Sequence, residues 1–338
     1  MKGRRKAKTK KWSVTVQFEV EARLLMATRS AKASNRFLDA IVRVDSLDEP
    51  TGRLAGVSIK PQLIHPDLPT LLSQVIEVVS QVGKLLSSEW DRVDGPRGQG
   101  DKAVVDVEIE YALRQQLIDL HSCDFWGEET GRTLTGHPWC WVVDPNDGTS
   151  DFLKGLKGSA ISVGLLYKQT PVLGVVYAPV TIEGIPDHIA WAEGLPNLLR
   201  NGEPVMTKLT GTQLSSSTCV MVSSAAVNQP SINRELCSPG RFVAMPSIAY
   251  RLAKVAAGDG VCAVSLCAVY AHDVVAGHAL LRGAGGVLLD EHGEPICYVT
   301  ESKMMAVSRR CFGGSETACR ELVVRDWSRV FAADDSQA

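Results

Sequence analysis

The stretch WVVDPNDGTSDF, residues 141–152, constrains this chain more than any other. The apolar run Trp141 to Val143 reads as a buried strand, and it delivers Asp144 at its carboxyl end. Pro145 fixes one backbone dihedral and Asp147 follows three residues after Asp144, so both carboxylates can face one point. Gly148 permits close backbone approach, and a helical turn starting there makes the N–H groups of Gly148, Thr149 and Ser150 an anion site. Two carboxylates at one point repel each other. A hard divalent cation resolves the conflict, because Mg²⁺ takes carboxylate, carbonyl and water oxygens. A metal beside an anion site points to phosphate. Taken alone, Asp-x-x-Asp-Gly-Thr also reads as a capped turn, since Asp, Asn and Gly dominate turns and helix N-caps.

Further acidic residues bear on that choice. FWGEETG places Glu128 and Glu129 after an aromatic pair and a glycine, which by itself is a solvated turn. YAHDVVAGHALLRGAGG puts Asp273 where a helix begins, ahead of Ala276 and Gly277, whose small side chains allow close packing. A lone Asp there is an N-cap, and Asp106 likewise caps the helix it opens.

The surrounding pattern is mixed. Residues 13–21, SVTVQFEVE, alternate strictly and read as a half-buried strand. Leu72, Val75, Val79, Val82 and Leu86 share one helical face, and a second helix from about Asp106 to His121 buries Ile109, Leu113, Leu117 and Leu120. CWVVD, ISVGLLY and VLGVVYAP are short apolar runs, the last two a tightly connected antiparallel pair. Asn201-Gly202 signals a hairpin turn. Beyond residue 215, strands (218–223, 261–265, 286–290) alternate with helices (247–257, 273–284). Strands covered by helices imply a layered α/β or α+β enzyme.

The 338 residues suffice for one large domain or two modest lobes. Lys+Arg 36 against Asp+Glu 38 leaves a net charge of -2, which excludes a nucleic-acid polymer or a membrane surface as partner of the bulk protein. Seven basic residues in the first eleven read as a solvated tail, with a weak polyanion-binding arm as the alternative. Nine scattered cysteines without a Cys-x-x-Cys pair read as reduced thiols. No apolar run approaches the roughly 18 residues of a membrane span. A soluble, cytoplasmic protein is expected.

GEE (127–129), WVVDPNDGT (141–149) and HDVVAGHALLRGAGG (272–286), in this order and spacing, resemble the inositol monophosphatase superfamily. These are Mg²⁺-dependent, lithium-sensitive phosphomonoesterases, and they include the 3'(2'),5'-bisphosphate nucleotidases and fructose-1,6-bisphosphatases. VLGVVYAP, NGEPV and SIAYRLA support the resemblance, which spans roughly residues 65–325. It implies a five-layer α-β-α-β-α sandwich. Residues 1–62 would be a basic tail and extension, 63–205 an N-terminal α+β half with most metal ligands, and 206–330 a C-terminal α/β half.

By the same resemblance, Glu128, Asp144 and the carbonyl of Asn146 hold one Mg²⁺, and Asp144, Asp147 and Asp273 a second. A weaker third ion sits near Glu128 and Asp106. Glu128 and Thr149 orient the attacking water, Asp147 serves the leaving oxygen, and Gly148, Thr149 and Asp273 bind substrate in a two-metal in-line displacement. The substrate is a small phosphorylated metabolite, and relatives are commonly homodimers.

Three departures stand out. Ala103 replaces the relatives' threonine, three positions before Asp106. His272 replaces tryptophan beside Asp273, as a substrate contact or a packing histidine. Leu266 stands where the inositol enzymes carry an acidic residue. The apolar neighbourhood SLCAVYAH, TPVLGVVYAP and Asp151 resemble the nucleotidase branch more closely, which makes 3'-phosphoadenosine 5'-phosphate the expected substrate. Inositol 1-phosphate or another sugar phosphate is the alternative, and a non-catalytic phospho-ligand-binding relative is a third reading.

Overall fold

A computed structural model describes residues 65–332; the basic opening and the alternating stretch 13–21 lie outside the described residues. Helix α1 (Leu68–Trp90) starts where the Asp67 carboxylate accepts the Thr70 N–H at 3.2 Å, with Pro69 in its first turn. Its stripe from Leu72 to Leu86 is buried, as the spacing requires. A ribbon of β1 (Gly98–Gln99) and β2 (Lys102–Ala103) leads into α2 (Val104–Leu120). This helix begins two residues earlier than expected, so Asp106 lies in its first turn and not at its cap. Ile109, Leu113 and Leu117 are buried, while Leu120 is only half-buried at the frayed end.

The next elements build the larger sheet: β3 (Asp124–Gly127), β4 (Arg132–Thr133), β5 (Trp139–Asp147), short helix α3 (Thr149–Leu153), β6 (Ala160–Tyr167), β7 (Thr170–Ala178), β8 (Asp187–Ala192), β9 (Leu199–Arg200) and β10 (Glu203–Pro204). Its order is β10-β9-β8-β7-β6-β5-β3-β4, and only β3 and β5 run parallel. Lys168 and Gln169, both at positive φ, turn β6 into β7; Asn201 and Gly202 do the same between β9 and β10.

The smaller sheet follows: β11 (Cys219–Ser223), α4 (Pro230–Cys237), β12 (Arg241–Met245), α5 (Ile248–Ala256), β13 (Cys262–Ser265), α6 (Ala271–Ala284), β14 (Val287–Leu289), α7 (Glu301–Met305), β15 (Cys311–Gly314), α8 (Glu316–Val323) and α9 (Arg329–Ala332). Its order is β12-β11-β13-β15-β14. Parallel β12-β11-β13 carry the helical crossovers, and β15 inserts antiparallel between β13 and β14.

Helices α1 and α2 cover one face of the larger sheet, α5 and α6 fill the space between the sheets, and α4 and α8 cover the far face of the smaller one. This is the five-layer α-β-α-β-α sandwich. The outer cores are built from large side chains: Leu72, Ile109 and Trp141 on one side, Phe312 and Trp327 on the other. The central layer relies on small ones. Gly164 and Gly174 pair directly across β6 and β7, and α6 lies on them. A Cβ on Gly174 would come within 2.3 Å of the Ala276 carbonyl oxygen, and one on Gly164 within 2.6 Å of Val275. Gly277 meets Leu252 of α5 as closely, at 2.6 Å. Among the described residues no helix is long and apolar enough to cross a membrane.

Candidate active site

Side chains alternate along a strand, so residues three apart should point to opposite faces. Asp144 and Asp147 escape that rule through a bulge. Asp144 pairs with Ser162 and Asp147 with Ala160, so β5 carries one extra residue there. Pro145 fits the bulge because it has no N–H for the ladder. The inverted parity turns both carboxylates to one side.

Asp273 arrives from α6, whose close seating on the two glycines brings its first turn over the end of β5. Carboxylate oxygens of Asp144, Asp147 and Asp273 lie within 4.8 Å of one another. Asp273 does not stand at the cap. It is the third residue of α6, and its Oδ2 accepts the N–H of Tyr270 at 2.6 Å, so one oxygen restrains the helix while the other faces the cluster. Asp106 plays the same part in α2, accepting the Ala103 N–H at 3.1 Å.

Burial and mutual repulsion lift the whole cluster. Asp144 is raised well above the carboxylate range, first by burial and then by Glu128, Asp147 and Asp273. Asp273 is raised well above it by burial and Asp147, and Asp147 by burial against the pull of Ser247 and Ala249. Glu128 is pushed up to about 7 by burial, with a hydrogen bond to Asp144 pulling it back. His272 does not neutralise the cluster. Its Nε2 lies 3.5 Å from Asp273 and 4.0 Å from Glu128, but burial lowers it to about 4. Among the described residues no lysine or arginine pairs with Asp144, Asp147 or Asp273 within 4.0 Å. Arg251 acts on Asp147 only from beyond ion-pair distance, and converging hard oxygens without a close counter-cation fit a hard divalent metal.

Around the cluster, Asn146 donates its amide N–H to Asp106 Oδ1 at 2.9 Å, and its own carbonyl accepts the Thr149 hydroxyl at 2.8 Å. That hydroxyl also lies 3.1 Å from Asp106 Oδ2. Asp106 is raised to about 6 by burial, held down by its bonds from Ala103, Asn146 and Thr149. The side-chain oxygen of Asn146 is buried without a partner, so this corner has a spare acceptor. Gly148 precedes α3 at φ 95°, and its Cα faces Ser247, whose N would lie 3.1 Å from a Cβ. A side chain is excluded there twice over, by conformation and by space.

A cavity of about 770 Å³ opens over these groups. Glu128, Asp147, Gly148, Ser150 and Asp273 line it, whereas Asp144, Asn146 and Asp106 stand behind, each about 1 % exposed. Leu266 lines the cavity as the expected apolar wall, joined by Val264, Val269 and Ile248. His272 lines it too, stacked at 10° on Tyr270.

Four contributors were not legible in the chain. Ser247 and the Ala249 N–H donate to Asp147 Oδ2 at 2.6 and 2.5 Å, fixing that carboxylate. Arg251, 5 % exposed, lines the cavity and donates to the Ser247 and Val264 carbonyls without an ion-pair partner among the described residues. Glu110, fully buried, accepts the N–H groups of Glu129 and Thr130 at 2.9 and 2.6 Å and so shapes the loop carrying Glu128. The only hint in the sequence was an acidic residue on the buried face of α2, four after Asp106.

Comparison with known proteins points one way. The model of the inositol monophosphatase family matches residues 67–325. The probable inositol 1-monophosphatase ImpA of Mycobacterium tuberculosis is 29% identical over 227 residues, 62% of this chain and 79% of that one. Inositol monophosphatase 1 of Bos taurus is 27% identical over 267 residues, 76% and 91% of the two chains. Among solved structures, a Thermotoga maritima IMPase aligns with a TM-score of 0.61 at 22% identity, covering 79% of this chain and 99% of that one.

Proposed function

The chain belongs to the inositol monophosphatase family and is a phosphatase of small phosphorylated substrates, and on that premise we propose that Mg²⁺ is its ion and that a nucleotide bisphosphate such as 3'-phosphoadenosine 5'-phosphate is its substrate. The observation that carries the substrate reading is the wall opposite the chemistry of a polyol. Leu266, Val264, Val269 and Ile248 offer ring hydroxyls no partner of their own, and Arg251, which donates to two carbonyls and acts on Asp147, adds positive charge to the same lining.

Asp144, Asp147 and Asp273, with Glu128 and the Asn146 carbonyl, would hold the Mg²⁺ ions. When bound, Mg²⁺ neutralises the converging carboxylates and stabilises charge on the transferring phosphoryl group. The protein's own residues do the rest. Glu128, on the loop that lines the cavity beside Asp147 and Asp273, orients the attacking water. The Thr149 hydroxyl, fixed between Asp106 and the Asn146 carbonyl, orients that water. The N–H groups of Gly148 and Thr149, at the start of α3, hold the phosphate oxygens, and Asp147, locked by Ser247, stands toward the leaving oxygen.

A second reading, inositol 1-phosphate, is favoured by the names of the relatives. Phosphate release from both esters, with Mg²⁺ and with a chelator, for the natural chain and Asp144→Asn, separates the two. Release from the nucleotide that the chelator and the substitution both abolish is the expected result. Preference for inositol 1-phosphate would overturn the reading of Leu266 and Arg251.

A further inference from the structure

The family match stops at residue 325, yet the cavity does not. Val330 and Phe331, from the short helix α9 at the end of the described chain, contribute to its lining. Two anchors bring this segment there. Trp327 is 1 % exposed, packs on Phe312 at 6.0 Å between ring centroids, and donates its indole N–H to the Leu322 carbonyl at 2.8 Å. Arg329 then grips Glu235 of α4 through both carboxylate oxygens, at 2.7 and 2.8 Å. Val330 rests against the outer core, but Phe331 keeps half of its surface exposed.

A half-exposed phenyl ring, two residues after an exposed bidentate ion pair and lining a cavity that also contains the site's carboxylates, is poised to gain burial when something flat covers it. We propose that residues 326–332 are a specificity element of this chain: Val330 and Phe331 form the wall on which the ring of an aromatic phosphate ester packs. This inference rests on the phosphatase reading above and refines its substrate class. The substrate's phosphate binds at the N–H groups of Gly148 and Thr149, beside the carboxylates that would hold the metal, and its ring reaches the lining that Val330 and Phe331 share with Val222 and Ala226. Selectivity for such esters therefore resides in a segment outside the family match.

The test compares the natural chain, Phe331→Ala, Arg329→Ala and a chain stopped after Trp327, which keeps the core anchor. KM and kcat are measured with Mg²⁺ for 1-naphthyl phosphate and for glycerol 2-phosphate, which has no ring. Phe331→Ala is expected to raise the KM for 1-naphthyl phosphate about tenfold relative to that for glycerol 2-phosphate, the scale of one ring stacked on an aromatic side chain. Arg329→Ala and the shortened chain shift the ratio the same way. An unchanged ratio, or equal damage to both esters, overturns the proposal. A natural chain that hydrolyses both esters but ignores 3'-phosphoadenosine 5'-phosphate sinks the nucleotide reading and leaves the wall standing. If none of these esters is hydrolysed, calorimetric binding of 1-naphthyl phosphate to the natural chain and Phe331→Ala decides the wall alone: weaker binding by the variant supports it and equal affinities overturn it.

Discussion

Glu110, buried behind Gly127 and outside the cavity lining, shows how a residue that cannot touch substrate can control the site. A Cβ on Gly127 would lie 2.0 Å from Glu110 Oε1, so the strand end and the carboxylate are fitted to each other. The same carboxylate also takes the Thr130 hydroxyl at 2.6 Å. Gly127→Ala must push Glu110 aside, releasing the loop that aims Glu128. Supporting bonds around metal ligands are worth about 10–100-fold in affinity or activity. The expected outcome is a loss of that order in kcat and a weaker half-saturation by Mg²⁺, with far-UV circular dichroism unchanged. Normal Mg²⁺ dependence in the variant would show that the loop holds without Glu110. Glu128 also sets a pH dependence. Its folded pKa, about 7, exceeds the ordinary value of 4.5, so the folded state binds more protons in that window. Stability of the metal-free protein is then greatest below the window and falls as pH rises through it. Asp106 adds the same sign between 3.8 and about 6. Thermal melting in chelator at pH 5 and pH 8 should show the higher midpoint at pH 5, and Glu128→Gln should shrink the difference. A midpoint that rises with pH would contradict the assignment.

At the scale of elements, the site depends on how closely α6 sits on β6 and β7. Gly174→Ala would drive a methyl into the Ala276 carbonyl and Ala279, and backbone has nowhere to retreat. Overpacking of this kind costs about 1–3 kcal/mol, and here it also lifts the helix that carries Asp273. Activity should therefore fall further than the loss of stability explains; a urea titration beside an assay at saturating Mg²⁺ separates the two effects. Much of this layer was legible beforehand. Val-Val-Ala-Gly in α6 announced close packing, and the apolar runs gave β6 and β7 although Lys168-Gln169 is not a sequence expected at a tight turn. Strands β3, β12 and β15 escaped notice for a physical reason. Length alone does not separate them from β11 and β13, which are as short and were legible, but their partners β5, β11 and β13 are reached only across intervening elements. The bulge at Pro145 was legible only in part, since the proline and the acidic pair were visible but the inverted parity depends on the register with β6.

At the scale of the whole molecule, the acidic cluster joins layers. Asp144 and Asp147 come from the larger sheet, Asp273 from the helix layer behind it, and Ser247 and the Ala249 N–H, just before and within α5, lock Asp147. The sequence could supply the ligand types, because their motifs are local. It could not supply Ser247, Arg251 or the C-terminal wall, which matter only once distant segments meet. The same convergence makes the metal-free fold carry repulsion in its interior, since Asp144 is buried among Glu128, Asp147 and Asp273. Two opposite consequences follow from one substitution. Asp144→Asn removes a buried like charge, so the metal-free variant should melt higher than the metal-free natural chain. On the proposed reading it also removes a metal ligand, so the rise in melting temperature expected with Mg²⁺ should largely vanish. For the natural chain that rise follows from binding to the folded state alone, about 2.7 kcal/mol at a hundredfold excess over Kd, or on the order of 5 °C for a domain of this size. Differential scanning fluorimetry of both proteins, in chelator and in Mg²⁺, reads all four states. If Asp144→Asn melts lower without metal, the carboxylate is held by partners that outweigh the repulsion, and the cluster is a structural network rather than a metal site.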